Sequence, residues 1–210
     1  MVEEPLLWCS IMFEWPFILD FWIGPLDAEG VPPVEYQQQW YEHDRRFERV
    51  LRRRFSTMVL LASEEGLDHW RNEPGGALAE IMLLDQFAPR VYSRTQMAYR
   101  NAPLAQRLAR EGVEAGRDAS LALIQRAFFY LPYQHAENRP MQEESLTLYD
   151  QLRRSGSGRL GDLLEAFYQS AVDNHDTVAR FGRFPQRNEA LKRRTTTQEQ
   201  AFLRELSQQS

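Results

Sequence analysis

Three ionisable residues stand where a helix would be expected to continue its apolar face. Asp85 follows Leu78, Ile81 and Met82 at helical spacing. His135 closes a stripe of Leu121, Ile124, Phe128 and Leu131. His175 interrupts one that runs through Leu164, Phe167, Ala171, Val178 and Phe181. A polar group on a buried face destabilises the fold unless it finds a partner. Three such placements point to one polar cavity between helices, a common ligand site in helical folds. The available chemistry is proton transfer by a histidine, with a carboxylate to orient it. His175 is the first candidate, and His135 with Glu137 the second; Asp85 is a further candidate. A plainer account stands beside it: a histidine at a stripe's end can bond a carbonyl, and an aspartate can pair with an arginine.

A second feature is the stretch 174–188, which carries Arg180, Arg183 and Arg187 and ends at Asn188. Guanidinium forks match carboxylates and phosphates. Together with Gln86, these four residues are the candidate ligand-binding set, and a small anionic molecule or a peptide carboxylate is the expected partner. Arginine number alone carries no weight, because Lys192 is the only lysine among 25 basic residues. Such a bias fits a GC-rich genome, so placement has to carry the argument. The same arginines could also brace a turn by bonding helix-end carbonyls.

Other chemistries find little footing. Asp85, His135, Glu137 and His175 are suitable metal-ligand types, but no His-x-x-x-His or Glu-x-x-His pair occurs, and nearby arginines repel cations. No metal and no cofactor are expected. There is no Gly-x-Ser-x-Gly elbow and no glycine-rich phosphate loop. A net charge of −5 argues against nucleic acid. Cys9 is the single cysteine, which excludes an internal disulfide and suits a reducing, cytoplasmic setting. The apolar run from Leu6 to Ile23 is broken by Glu14, Pro16 and Asp20, so no membrane span is expected there.

The elements that must position these residues read as helices throughout. Helices are expected from Pro16 to about Gly24, 42–63, 76–87, 103–114, from about Asp118 to Pro132, 140–153, 160–181 and 196 onward. Asn101 and Asp118 read as helix caps, and Thr196 with Glu199 as a capping box. Pro89 should break its helix, leaving 90–94 as a turn, and 186–191 should form a short helix. Ser155-Gly-Ser-Gly158 reads as a flexible linker too short to separate domains. No segment alternates like a strand. The expectation is an all-α, antiparallel array of about eight or nine helices. Residues 1–14 read as an extension, with Met12 a possible start, and 15–210 as a single domain.

Several strings then resemble a known bacterial family, domain of unknown function 924. They are Asp20-Phe-Trp-Ile-Gly-Pro25, Leu83-Leu-Asp-Gln-Phe87, Phe129-Tyr-Leu-Pro132 with His135-Ala-Glu137, and Asn174-His175 with Ala179 through Asn188. Arg194-Thr-Thr-Thr and Phe202-Leu203 follow in the same order. The resemblance spans roughly 18–205 and implies a tetratricopeptide-like helical fold without an established activity. Two departures stand out. Pro89 and Arg90 occupy the family's arginine and asparagine positions, and Gln186 sits where relatives often have histidine. Two classes of function remain open: a binding protein for a small anion or peptide, and an enzyme using a histidine as acid or base. The sequence does not fix the oligomeric state.

Overall fold

Every regular element among the described residues is helical. The structure, a computed structural model, describes residues 14–41 and 44–209, so Cys9 and Met12 lie outside it. The helices are α1 (Pro16–Trp22), α2 (Val34–Trp40), α3 (Arg45–Ser63), α4 (Pro74–Met82), α5 (Ala88–Val91), α6 (Ala102–Glu114), α7 (Leu123–Phe129), α8 (Leu131–Gln134), α9 (Arg139–Ser155), α10 (Gly158–Phe181) and α11 (Thr197–Gln209). Short 3-10 turns cover Asp68–Asn72, Gln96–Tyr99, Arg117–Ser120 and Pro185–Arg187.

Helix α4 is the centre. Every residue from Gly76 to Met82 is buried, including Glu80. A helix apolar on all sides belongs inside a protein, and α1, α6 and α7 all pack on this one. Glu80 is tolerated there because Arg71 clamps both of its oxygens at 2.7 Å. One turn further on, Phe87 meets Trp22 and Phe55 with ring centres 4.9 and 4.8 Å apart. That aromatic knot ties α1, α3 and the end of α4 together.

Several local expectations are corrected. The helix expected over 42–63 begins at Arg45, where Asp44 caps it by accepting from the backbone N–H groups of Arg46 and Phe47. A separate helix, α2, precedes it. It buries only Trp40 and is otherwise glutamine-rich, so it left no apolar stripe to read. Pro89 does not end its segment. The backbone widens into a π turn at Leu83–Phe87 and then re-forms α5, whose first turn accepts a proline because no N–H bond is needed there. Asn101 does not cap α6; its amide donates to Ser63 Oγ at 2.6 Å. Asp118 does not cap α7 either, and instead receives the Tyr130 hydroxyl and the Arg126 guanidinium. The segment 155–158 is a tight turn rather than a loose linker, joining α9 and α10, the most extensive helix pair. Gly182 ends α10 as expected, with φ +68°.

The final helix opens on the expected capping box. Glu199 accepts from the Thr196 N–H at 2.7 Å, and its own N–H donates to Thr196 Oγ1 at 3.2 Å. Arg183 adds two further bonds to the same carboxylate, at 2.7 and 3.0 Å. These contacts, Arg183 foremost, hold the Glu199 pKa down to about 2 from an ordinary 4.5.

Two outcomes follow from this architecture. A methyl at Gly76 would sit 2.2 Å from the Trp70 carbonyl oxygen, and a backbone atom cannot rotate aside. Gly76→Ala should therefore lower stability by about 1–3 kcal/mol in urea titration, despite alanine's better helix propensity; an unchanged or raised midpoint would contradict this packing. The Glu199 carboxylate is worth most when ionised in the fold and least when protonated. Its contribution is present above about pH 4.5 and lost as pH falls toward 2. The Glu199→Gln variant should thus unfold more easily at pH 7, by about 1 kcal/mol or more, and the gap to the parent should narrow below about pH 4.5 and close as pH nears 2.

Candidate functional site

The π turn at Leu83–Phe87 sets Asp85 facing inward. A π turn adds one residue to a helical turn, is rare, and is often found at functional sites. The Asp85 side chain is only 6% exposed. Its carboxylate accepts from His135 Nδ1 at 2.8 and 3.0 Å and from the Gln86 amide at 2.7 Å. Burial alone would raise the Asp85 pKa. The nearby imidazole, its hydrogen bond, the Gln86 bond and the Arg187 charge together outweigh burial and hold it below the ordinary range. Asp85 is therefore an anion near neutral pH.

An ionised carboxylate can only accept, so His135 must carry its proton on Nδ1 when neutral. That leaves Nε2 with a lone pair and with no protein partner among the described residues. Pro132 and the α7–α8 break bring His135 to this position, as the C-cap of α8. The buried Gln142 amide on α9 holds the turn by donating to the carbonyls of Gln134 and Ala136 at 2.7 and 2.8 Å.

Both residues line a cleft of about 490 Å³. Phe184, Gln186 and Arg187, in and beside the Pro185–Arg187 turn, line it as well. The Arg187 guanidinium lies 4.8 Å from the Tyr99 ring centre and 4.5 Å from that of Phe184. Aromatic faces hold a guanidinium in place without neutralising it. Among the described residues, no carboxylate bonds to Arg187. Burial pushes its pKa below the usual value, while Glu137, Tyr99 and Asp85 oppose that shift. Arg187 is thus a desolvated, positioned cation in the cleft that His135 also lines.

Arg90 lines the same cleft but is partly committed. It lies 4.7 Å from the Trp22 ring centre and donates to the Trp40 carbonyl. Burial lowers its pKa to about 10, against the pull of Glu48 and Asp85. At the rim, Ser93 donates to Glu48 at 3.1 Å, and Arg94, Asn174 and Gln186 complete the polar lining.

The remaining candidates from the sequence lie elsewhere. His175 is bonded to its neighbour Asp176 at 3.1 Å and does not line the cleft. Arg180 lies on Phe181 and Phe202. Arg183 is held by Glu199 and by the Arg194 carbonyl. Glu137 and Asn188 brace the Pro185–Arg187 turn. Glu137 accepts from the Phe184 N–H at 2.7 Å and from Arg193 at 2.6 and 2.9 Å. Asn188 accepts from Arg193 Nε at 3.0 Å. Of the nine sequence candidates, the structure brings Asp85, Gln86, His135 and Arg187 to one cleft. Tyr99 and Arg193 were not anticipated. Tyr99 lies in a short 3-10 turn without a stripe, and Arg193 is one arginine among many. Among the described residues, no group of three or more His, Cys, Asp or Glu side chains is arranged to hold a metal. No helix there is long and apolar enough to cross a membrane.

No curated protein matches the chain. A solved structure of a protein of unknown function from Agrobacterium tumefaciens is similar at 31% identity, covering 94% of this chain and 98% of that one, with a TM-score of 0.75. The model of a family described as bacterial protein of unknown function (DUF924) matches residues 18–207, nearly the whole chain. The protein therefore belongs to the DUF924 family.

Proposed function

We propose that the cleft binds a small molecule bearing a carboxylate or phosphate and moves a proton on it. Arg187 would hold the anion, and His135 Nε2 would act as general base. Asp85 would fix the imidazole tautomer and steady the imidazolium formed when the proton arrives. The observation that carries this reading is the contact of His135 Nδ1 with a buried carboxylate, 2.8 Å away, in the cleft that also holds the Arg187 guanidinium, which has no carboxylate partner among the described residues. A structural ion pair would account for the contact alone. It would not call for a cation left without a carboxylate at the same cleft.

The size of the space favours a small molecule over a peptide. About 490 Å³ lies within the range of small-ligand pockets, and Phe184 and the 3-10 turn at Gln96–Tyr99 help bound it. A peptide groove would run on along the helices.

A thermal-shift screen against a library of metabolites should yield stabilising compounds enriched in carboxylates and phosphates. Arg187→Ala should weaken binding of those compounds by about tenfold or more. A compound that stabilises parent and variant equally would remove Arg187 from the site, and a library without an anionic hit would overturn the reading. For a hit that the protein converts, His135→Gln should abolish most turnover while leaving binding within about threefold. Asp85→Asn should lower turnover by about 10²-fold or more, by favouring the wrong tautomer. Turnover retained in His135→Gln would end the general-base role.

A further inference from the structure

Helix α3 carries an outward seam that is exposed among the described residues. Its inner face, Leu51, Phe55, Met58, Val59 and Ala62, is buried in the core. On the opposite side, Arg46, Val50, Arg53, Thr57, Leu60 and Glu64 recur at spacings of four, three, four, three and four residues. Those spacings keep all six on one face, with Val50 and Leu60 as its apolar positions. Val50 and Leu60 are 39% and 53% exposed, and Leu61 beside them is 36% exposed.

Charge along the seam is polar in the literal sense. Arg46 stands at one end, Glu64 at the other, and neither side chain has an ionic partner among the described residues. Some exposed arginines elsewhere find carboxylates close by. Arg139 meets Glu143 at 3.0 Å, Arg154 meets Asp150 at 2.7 Å, and Arg159 meets Asp27 at 2.7 Å. The basic half of α3 carries no ion pair among the described residues, as is also true of Arg94, Arg100, Arg194 and Arg204. With Arg45, Arg49 and Arg53 at i,i+4 spacing, it accumulates like charges that destabilise an isolated helix.

We infer that α3 pairs with α3 of a second copy, antiparallel, about a two-fold axis near Phe55. In that single register every seam position meets a complement. Arg46 faces the copy's Glu64, Val50 faces its Leu60, and Arg53 faces its Thr57, whose hydroxyl can accept from the guanidinium. A parallel pairing would set Arg46 against Arg46 and Glu64 against Glu64. Arg54, which would otherwise meet its own copy near the axis, is folded onto Phe17, Phe21 and Phe55 at 5.0 to 5.8 Å. A two-fold contact needs a self-complementary patch, and this seam is one. The contact is one helix of 19 residues, about 28 Å long, so the dimer is weak, with a dissociation constant on the order of micromolar.

Analytical ultracentrifugation of the full chain from about 5 to 500 μM, spanning that range, tests this directly. The parent should pass from monomer to dimer. Leu60→Glu should weaken the dimer by about tenfold or more, with an unchanged melting temperature because the side chain is exposed. Arg46→Glu and Glu64→Arg should each weaken it by about threefold to tenfold, since two symmetric pairs are lost and repulsion replaces them. The two reversals combined in one chain should restore the parent's constant to within about twofold. A protein that stays monomeric across the range would overturn the inference. A dimer that ignores Leu60→Glu would place the contact on another face, and one that ignores the single charge reversals would rule out the antiparallel register.

Discussion

The structure depends on keeping one buried carboxylate ionised. Asp85 has left water, and a lone charge in that position would be strongly unfavourable. It persists because His135 and Gln86 bond to it and because Arg187 contributes positive potential nearby. Each of those contacts makes a demand on the backbone. The α4 segment opens into a π turn at Asp85. The helix breaks at Tyr130, with Pro132 in the first turn of α8, to deliver His135. The C-terminal segment folds back to bring Arg187 close. Gln142 and the Glu137–Arg193 pair then hold the two incoming turns in place. A purely apolar helix junction would need none of these devices.

The bracing of the C-terminal turn also separates two kinds of arginine. Arg183 and Arg193 are consumed by carboxylates and carbonyls, so their charge is neutralised within the fold. Arg187 is held by two aromatic faces, which fix its position and leave its charge to act outward. The stretch 174–188 is dense in arginine, yet only Arg187 from that set reaches the cleft. Geometry of support, rather than number, decides which guanidinium faces the cleft.

Much of the fold was legible in the sequence because apolar stripes at helical spacing report burial directly. The ends of α1 and α10, the α7–α8 break near Pro132 and the Thr196–Glu199 box all followed from local chemistry. The failures share a cause. α2 has a single buried residue and hence no stripe. Asn101 and Asp118 look like caps because their residue types suit caps, but partners distant in sequence, Ser63 and Tyr130, engage them instead. At the site, the anomaly on the stripe identified Asp85 and His135. That they touch was not legible, since nothing local records a contact across fifty residues. His175 showed the same anomaly and proved half-buried beside Asp176. A polar residue on a stripe therefore signals the need for a partner without saying which partner meets it.

Helix α3 shows how one element can serve two surfaces. Its edge toward the cleft carries Glu48, which accepts from Ser93, and Arg52, which donates to the Val91 carbonyl at 3.0 Å. Both bonds fix α5 and the loop after it, the segment that begins with Arg90 in the cleft wall. Its core face is locked by Phe55 in the aromatic knot with Phe87, two residues beyond Asp85. The outward seam is free of both duties, since its residues reach neither the cleft nor the core. A helix immobilised on two sides presents its third side as a rigid surface, and rigidity lowers the entropy that a contact must overcome. A self-complementary seam can then act through few residues, because the fold has already fixed the helix that bears them.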